Sequence, residues 1–368
     1  MYKSTFFGAA LGSLWLAGCF AGRPATFRQD AELPGARLFY TGRYRLSGDS
    51  AAELISSGVH TTFSFNGSAC TVQAAAAPGA HSYLQYELDG QYQGRVRVEA
   101  GGTAISINAT VPGRHTVRLF KATEAHSGPL YLRRISGSGV RAQPVPDAPL
   151  IEFIGNSITC GAAADPSEYP CGSGAYHDQH NAYLAYGPRA ARALGGEFVL
   201  SSVSGIGIYR TWNREGPSMP QVYEQTDFQP GGTDRWDFSR FRPRVIAVAL
   251  GTNDFSNGDG VQARAPFDSV RFVEEYVRFV HRVKALQPAA RLLLLSSPMV
   301  QGERGRLLER CLARVKERVD KAHPGAYPVA LFFFSPFQAR GCTGHPDVED
   351  HARMAEEVTP ALKALLGK

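Results

Sequence analysis

The sequence predicts an N-terminal all-β domain of the sandwich or jelly-roll type, followed by an α/β domain with a parallel sheet. Three observations support this fold class. Segments between residues 37 and 142 alternate apolar and polar side chains and are separated by turn signals. Residues 143–149 form a proline-rich connector, at which we place the domain boundary. From residue 150 to 368, apolar runs alternate with helical stretches, a pattern typical of a parallel sheet covered on both faces.

Size and composition are those of a folded protein with two cores. The chain has 368 residues, of which 43% are hydrophobic and 20% charged, and this balance excludes an intrinsically disordered chain. The formal net charge is +6, but the basic residues form no dense cluster. We therefore expect no nucleic-acid partner.

The chain begins with a predicted export signal. Lys3 precedes an apolar run, Phe6 to Leu16, that is too short to span a bilayer. The run ends in Leu16-Ala17-Gly18-Cys19, which resembles a bacterial lipobox. The resemblance implies cleavage before Cys19 and acylation of its thiol and its new amino terminus.

We therefore expect residues 1–18 to be a lipoprotein signal peptide and residues 19–36 a tether. No later stretch is long and apolar enough for a membrane-spanning helix. The expected location is the periplasm or the cell surface, with the protein held on a membrane by its lipid. Plain secretion, with cleavage near Ala21, is the alternative.

Export makes the five remaining cysteines candidates for disulfides, and an odd number leaves at least one outside internal pairing. Cys160 and Cys171 bracket a loop rich in glycine, alanine and proline, while Cys311 lies in a helical stretch and Cys342 in a late loop. We predict the pairs Cys160–Cys171 and Cys311–Cys342. Cys70 is then a small buried residue in a strand.

The predicted elements follow the hydrophobic pattern. In the first domain, period-two alternation marks strands at residues 61–65, 84–88 and 115–119. In the second domain, strands are predicted at residues 151–154, 197–203, 244–250, 291–296 and 328–334. Helices are predicted at about 182–194, 266–286 and 302–322, with a last helix from about 350 to 366 that is interrupted or kinked near Pro360. Asp268 is positioned to cap the second of these helices.

The strand at residues 151–154 is followed by a candidate nucleophile. It ends at Gly155, which permits a sharp turn, and Ser157 stands two positions later. Ligands of open α/β sheets bind beyond the carboxyl ends of the strands, so Ser157 would be exposed where a nucleophile is needed. On this motif alone, a serine in an ordinary strand-to-helix turn remains the alternative.

Polar and glycine-rich clusters follow the later strands as well, at residues 201–207, 250–254 and 344–348. Acyl transfer needs a nucleophile, a base and donors for the oxyanion. Ser157 and His345 supply the first two. The backbone N–H groups of Ser157 and Gly205 and the side-chain amide of Asn253 supply the donors.

With these residues in this order, the chain resembles the SGNH (GDSL-like) hydrolases. It is most similar to carbohydrate esterase family 2, through Gly155–Gly161, Trp236–Phe241, Gly251–Ser256 and His345-Pro346 with Val348 and His351. The resemblance covers nearly the whole mature chain and implies a β-sandwich ahead of a flavodoxin-like hydrolase domain. It also implies deacetylation of plant cell-wall polysaccharides or oligosaccharides, without a cofactor.

The orienting carboxylate of these families is missing. SGNH hydrolases usually carry Asp three residues before the histidine, and family 2 often two residues before it, but this chain has Cys342 and Thr343 there. The resemblance then implies a Ser157/His345 dyad with the imidazole held by a backbone carbonyl. Asp347 is expected to begin the last helix, where an acidic residue interacts well with the helix dipole.

Other residues carry weaker signals. Tyr209 and Trp212 follow Gly205 and are candidates for a sugar-binding platform, with packing under a neighbouring loop as the alternative. His177 and His180 have a spacing compatible with metal binding, but a polar loop explains them equally and we predict no metal.

The sequence thus predicts a serine esterase that acts on acetylated polysaccharides or oligosaccharides. One alternative is an esterase or thioesterase for a lipid or another acyl ester on the same scaffold. The other is a non-catalytic, carbohydrate-binding surface lipoprotein, which the missing Asp motivates.

Overall fold

The computed structural model describes residues 1–2 and 31–367. The predicted signal peptide (beyond its first two residues), Cys19 with its lipid and most of the predicted tether therefore lie outside the described residues. Within the described ranges, no helix has the length and hydropathy needed to cross a membrane.

The N-terminal part of the described chain is an antiparallel sheet of ten strands, which confirms the predicted all-β domain. Its strands are β1 (Ala31–Pro34), β2 (Tyr40–Thr41), β3 (Tyr44–Ser47), β4 (Ala51–Leu54), β5 (His60–Ala76), β6 (His81–Leu88), β7 (Gln91–Glu99), β8 (Thr103–Lys121), β9 (Leu130–Gly137) and β10 (Arg141–Ala142). The long strands β5 and β8 pair along most of their length, whereas the pairing of β5 with β9 is confined to the second half of β5. Side chains from both halves of β5 enter one hydrophobic core, as a sandwich requires.

The sheet begins earlier than residue 37. Ala31–Pro34 form β1 and pair with β9 over four residues. Residues 31–36 therefore belong to the folded domain and not to the predicted tether. Their polar, irregular sequence suggests a tether, but hydrogen bonding to β9 makes the first four of them a strand.

The second part is a five-stranded parallel sheet with helices on its faces, which confirms the predicted α/β domain. Its strands are β11 (Leu150–Gly155), β12 (Glu197–Ser202), β13 (Val245–Ala249), β14 (Arg291–Leu295) and β15 (Ala330–Phe332). Across the sheet they lie in the order β12-β11-β13-β14-β15. The helices are α1 (Ser157–Cys160), α2 (Tyr186–Ala193), α3 (Met219–Val222), α4 (Ser269–Leu286), α5 (Gly302–Ala322) and α6 (Val348–Leu366). This strand order is flavodoxin-like, and its switch point lies between β11 and β13, at the carboxyl end of β11.

The longer helices are held by their buried faces. Asp268 caps α4 as predicted, because its carboxylate accepts the N–H groups of Val270 and Arg271 at 3.0 Å. Helix α6 continues through Pro360, so of the predicted interruption or kink the interruption does not occur. Val358 and Leu362 on either side of the proline are both buried in one core, and this packing keeps the helix continuous.

A buried polar junction joins the two domains. Arg43 of the N-terminal domain is fully buried and donates to the carbonyl oxygens of Tyr223 and Gln225 at 2.7 and 2.6 Å. On β12, Glu197 accepts from His60 and Arg118 at 2.7 and 2.5 Å. Charged groups that are paired at this depth fix the orientation of one domain on the other, because leaving either partner unpaired there would be costly.

Candidate active site

Ser157 is presented by a turn that only glycine permits. A Cβ on Gly155 would lie 2.0 Å from Oγ1 of Thr159, so any side chain there would collide with the next helical turn. Ser157 is the first residue of α1, and Asn156 caps this helix by accepting the N–H of Ile158 at 3.0 Å. The serine therefore stands just beyond the carboxyl end of β11.

His345 is brought to this hydroxyl from the other end of the domain. Its Nε2 lies 2.9 Å from Oγ of Ser157, although the two residues are 188 positions apart. Burial lowers the pKa of the His345 imidazole, and the nearby His180 lowers it further, while the backbone carbonyls of Cys342 and Thr343 raise it. A histidine with a lowered pKa is neutral near pH 7 and can accept the proton of a serine hydroxyl.

The second nitrogen of His345 faces a hydroxyl. Nδ1 lies 3.0 Å from Oγ1 of Thr343, and that hydroxyl donates to the carbonyl oxygen of Cys342 at 2.7 Å. Since the hydroxyl hydrogen is committed to the carbonyl, Oγ1 accepts the Nδ1–H. We expected a backbone carbonyl to accept this N–H, and the structure modifies that expectation. The hydrogen-bond partner is the Thr343 hydroxyl, while the carbonyls of Cys342 and Thr343 raise the pKa of the imidazole.

The backbone around Thr343 is unusual. Thr343 has a φ of 52° and Gly344 a φ of 73°, so two successive residues adopt the left-handed conformation. For a β-branched residue this conformation is strained. Residues held in strained conformations cluster at functional sites, where the surrounding structure maintains them.

Asp347 takes the capping role predicted for it. It is the N-cap of α6, and its Oδ1 accepts the N–H of Asp350 at 2.7 Å. The same oxygen receives a hydrogen bond from the Arg340 guanidinium at 3.0 Å. The carboxylate is therefore engaged at the helix terminus and in an ion pair.

Ser157, Gly205, Asn253 and His345 line one cavity of about 770 Å³. Gly205 has a φ of 75°, and a Cβ there would lie 2.8 Å from the ring of Trp212. One N–H of the Asn253 amide donates to the carbonyl oxygen of Ile206 at 2.8 Å, which orients the side chain. The second N–H of this amide is then available as a donor toward the cavity.

Asp254 holds the loop that carries Gly205. It is fully buried, and its carboxylate accepts the N–H of Ile208 and the N–H of Tyr209 at about 3 Å. Burial raises the pKa of Asp254 to about 6, against the opposing effect of these backbone donors. The interpretation of Asp254 as a residue that stabilises this region agrees with these contacts.

The two aromatic residues predicted as a sugar-binding platform, Tyr209 and Trp212, lie in different environments. Trp212 lines the cavity and is 41% exposed. Tyr209 is 6% exposed and packs against Phe267 and Phe272, so its prediction as part of a sugar platform is wrong. The backbone N–H of Tyr209 is held by Asp254.

The disulfide pairing is different from the one predicted. Cys171 is bonded to Cys342, while Cys160 and Cys311 are free and buried, as is Cys70. Cys160 belongs to α1 and faces Ser202 at 3.1 Å, and Cys311 lies on the buried face of α5. Both predicted pairs fail because these helices direct their cysteines inward, whereas Cys171 and Cys342 meet between two loops.

The polar loop 176–180 contains a compact cluster with a partner from the other domain. His81 of β6 hydrogen bonds to Oδ1 of Asp178 at 2.5 Å, and donor atoms of His81, His177 and Asp178 all lie within 4.8 Å of one another. Nε2 of His177 has no hydrogen-bond partner among the described residues. The Arg97 guanidinium, however, lies 3.9 Å from Oδ1 of Asp178 and opposes a cation there. His180 faces Glu124 instead, at 3.4 Å.

Several cavity residues carry no motif that sequence reasoning could find. Tyr176 lines the cavity with its ring centroid 6.1 Å from that of His345, and Met299 and Arg304 line another part of it. The sequence marks Thr343 only as a position at which related enzymes often carry Asp. A hydroxyl two residues before the histidine is the one signal that pointed to it.

Comparisons with known proteins agree with this architecture. Residues 40–146 match the family described as carbohydrate esterase 2 N-terminal, and residues 153–350 match the GDSL-like lipase/acylhydrolase family. Cellulase/esterase CelE of Acetivibrio thermocellus is 30% identical over 92% of this chain. This chain spans only 40% of the length of CelE. An acetylxylan esterase/glucomannan deacetylase of Cellvibrio japonicus is 26% identical over 88% of both chains.

Solved structures show the same two-domain fold. A family two carbohydrate esterase from Clostridium thermocellum, determined in complex with cellohexaose, is 26% identical with a TM-score of 0.78. The match covers 92% of this chain and 99% of that one. A family two carbohydrate esterase from Cellvibrio japonicus has the same fold, with a TM-score of 0.81 at 24% identity and coverage of 92% and 98%.

Proposed function

Since the chain belongs to the GDSL-like lipase/acylhydrolase family and has a carbohydrate esterase 2 N-terminal domain, we propose that it is a serine esterase that deacetylates polysaccharides or oligosaccharides. The observation that carries the proposal is the 2.9 Å contact between Oγ of Ser157 and Nε2 of His345. This contact lies in a cavity that Gly205 and Asn253 also line. Activity on acetylated xylan or glucomannan fits the names of the relatives.

The reaction has two halves. Oγ of Ser157 attacks the acetyl carbonyl while Nε2 of His345 takes its proton, and a tetrahedral oxyanion forms. The N–H groups of Ser157 and Gly205 and the Asn253 amide stabilise this oxyanion. The sugar hydroxyl leaves with the proton from His345, and an acetyl-enzyme remains. Water, deprotonated by His345, then releases acetate and restores Ser157.

The orientation of His345 completes the dyad. Thr343 accepts the Nδ1–H, which fixes the tautomer whose Nε2 faces Ser157. A neutral hydroxyl stabilises the imidazolium less than a buried carboxylate does. The carbonyls of Cys342 and Thr343, which favour the protonated imidazole, supply part of that missing stabilisation. No cofactor takes part in these steps.

The test is the hydrolysis of 4-nitrophenyl esters of increasing acyl length, with Ser157→Ala as the matched control. We expect turnover of the acetate ester to exceed that of longer esters, and covalent labelling of Ser157 by a serine-directed phosphonate. Preference for a long acyl chain would indicate an esterase for another acyl ester. Absence of both turnover and labelling, with binding of an oligosaccharide retained, would indicate a non-catalytic carbohydrate-binding protein.

We also propose that the protein is exported and anchored by lipid at Cys19, with residues 1–18 as signal peptide. The lipobox-like sequence Leu16-Ala17-Gly18-Cys19 supports this proposal. The native protein should partition into detergent, and Cys19→Ser should lose the lipid. Mass spectrometry that finds an unmodified amino terminus beyond Cys19 would indicate plain secretion.

A further inference from the structure

Glu124 is a buried carboxylate that the N-terminal domain places beside the active site. It lies just after β8 and is 2% exposed. Its Oε2 accepts the backbone N–H of Ser204 at 2.7 Å, and its Oε1 lies 3.4 Å from Nε2 of His180. The reaction described above assigns no step to Glu124.

The surroundings of Glu124 keep it charged and fixed. The Lys121 ammonium donates to the backbone carbonyls of Thr123 and Glu124 at 2.9 and 2.8 Å, which holds this stretch of main chain. Nδ1 of His180 accepts the N–H of Ala163, so the ring hydrogen is on Nε2 and faces the carboxylate. Burial tends to raise the pKa of Glu124, but its contacts with His180 and Ser204 outweigh burial and lower the pKa to about 2.

The hydrogen bond to Ser204 acts next to the oxyanion site. The Gly205 N–H belongs to the peptide unit that joins Ser204 to Gly205, and peptide units are planar. Only φ and ψ of Ser204 therefore separate the N–H held by Glu124 from the N–H that faces the oxyanion. Fixing the first restricts the direction of the second.

The same loop is held from its other side by Asp254, through the N–H groups of Ile208 and Tyr209. Gly205 thus lies between two anchors, one carboxylate from each domain. Both anchors are buried, so water does not compete with them for the backbone donors.

We propose that Glu124 is a positioning residue that holds the Ser204–Gly205 turn of the hydrolase domain and thereby aims the Gly205 N–H at the oxyanion. The inference rests on the proposed esterase function. It gives the N-terminal domain a part in catalysis besides any contact with the substrate. Displacements of about 1 Å in such groups can cost up to roughly 10²-fold in rate.

The experiment compares three variants of Glu124 in the full chain, with Glu197→Gln as the matched control. Glu197 is another buried carboxylate at the domain junction, but it lies at the opposite end of β12 from Ser202. Two quantities are measured: kcat and KM for 4-nitrophenyl acetate, and hydrogen–deuterium exchange of a peptide that spans residues 203–207.

Glu124→Ala should lower kcat by about 10- to 100-fold with little change in KM, because transition-state stabilisation alone is impaired. It should also speed exchange in residues 203–207, and Glu197→Gln should have a much smaller effect on both quantities. Glu124→Gln keeps an acceptor oxygen for the N–H of Ser204, although its NH2 then faces the Nε2–H of His180, and it should therefore retain more of kcat than Glu124→Ala. Glu124→Asp keeps the charge but loses one methylene, and should lose more of kcat than Glu124→Gln.

Each contrary result overturns the inference. If Glu124→Asp is more active than Glu124→Gln, the charge matters and the hydrogen bond does not. If Glu124→Ala affects kcat no more than Glu197→Gln, the role is general stability. Should the wild-type protein hydrolyse no ester, the proposed function fails. Hydrogen–deuterium exchange then still tests the positioning role. Unchanged exchange of residues 203–207 in Glu124→Ala refutes it. If Glu124→Ala does not fold, unchanged exchange in Glu124→Asp refutes it instead.

Discussion

Ser157 and Gly205 follow the ends of parallel strands, whereas His345 stands in an irregular turn between β15 and α6. On the nucleophile side, the strand ends bring the groups to one edge of the sheet, and Asn253 follows β13 in the same way. On the histidine side, the turn is fixed by the Cys171–Cys342 disulfide, a left-handed Thr343 and the capped start of α6. The first arrangement follows from the fold class, while the second depends on contacts particular to this chain.

This difference predicts where substitutions are most damaging. Groups that touch the reacting atoms should have large effects on either side. On the histidine side, groups that only support the imidazole should have small effects, because each is one of several contacts that hold the histidine turn. The following four predictions test this contrast in decreasing order of expected effect.

His345→Ala should have the largest effect, a loss of kcat on the order of 10⁴–10⁶-fold, because the general base is removed from both halves of the reaction. Steady-state hydrolysis of 4-nitrophenyl acetate measures the loss, and circular dichroism checks the fold. A variant that retains a tenth of the wild-type kcat would show that another group serves as the base.

Asn253→Ala should lower kcat by roughly 10²–10³-fold with a smaller change in KM, as expected when one oxyanion donor is lost. The same kinetic assay separates the two constants. A variant impaired only in KM would assign Asn253 to substrate binding and would remove one group from the nucleophile side.

Thr343→Val should lower kcat by about 3- to 10-fold, because one hydrogen bond to the imidazole is lost while the carbonyls of residues 342 and 343 remain. Thr343→Ser keeps the hydroxyl and is the matched control. A loss as large as that of His345→Ala would mean that the hydroxyl is indispensable. Equal activity of both variants and the wild type would assign the orientation of His345 to the backbone alone.

Asp347→Ala should have the smallest effect on kcat but should lower the free energy of unfolding by about 1 kcal/mol, since the N-cap of α6 is lost. Urea denaturation measures the stability. A collapse of kcat in a folded Asp347→Ala protein would place the third member of a catalytic triad after the histidine.

The pH dependence follows from the environment of His345. Burial, with a further contribution from His180, lowers its pKa below the usual 6.5. Because the neutral imidazole is the active base, kcat/KM should rise with pH through this lowered pKa, with its midpoint below pH 6.5. A pH–rate profile with its midpoint above 6.5 would contradict the low pKa.

The nucleophile side could be predicted because strand ends and glycine turns leave local signals. Such signals predict Ser157, Gly205 and Asn253. A glycine and polar residues between the last strand and the last helix predict His345 on the histidine side, and the structure brings all four residues to one cavity. The valines that recur at helical spacing in α4 are buried from Val273 to Val283, whereas Val270 in its first turn is 64% exposed. The spacing of apolar residues along a helix does not show which of its turns the core covers.

The remaining features depend on residues that are distant in sequence. Cys171 and Cys342 are separated by 171 positions, and no local pattern relates them. The contact of Glu124 with Ser204 crosses from one domain to the other, so it depends on how the domains dock. The hydroxyl partner of His345 required the backbone conformation of Thr343, which a β-branched residue rarely adopts.

The most direct test of the central proposal is the release of acetate from acetylated xylan and acetylated glucomannan by the wild-type protein and by Ser157→Ala. The proposal predicts that the wild type releases acetate and is labelled by a serine-directed phosphonate, and that a folded Ser157→Ala protein does neither. Retention of most acetate release by Ser157→Ala would contradict it.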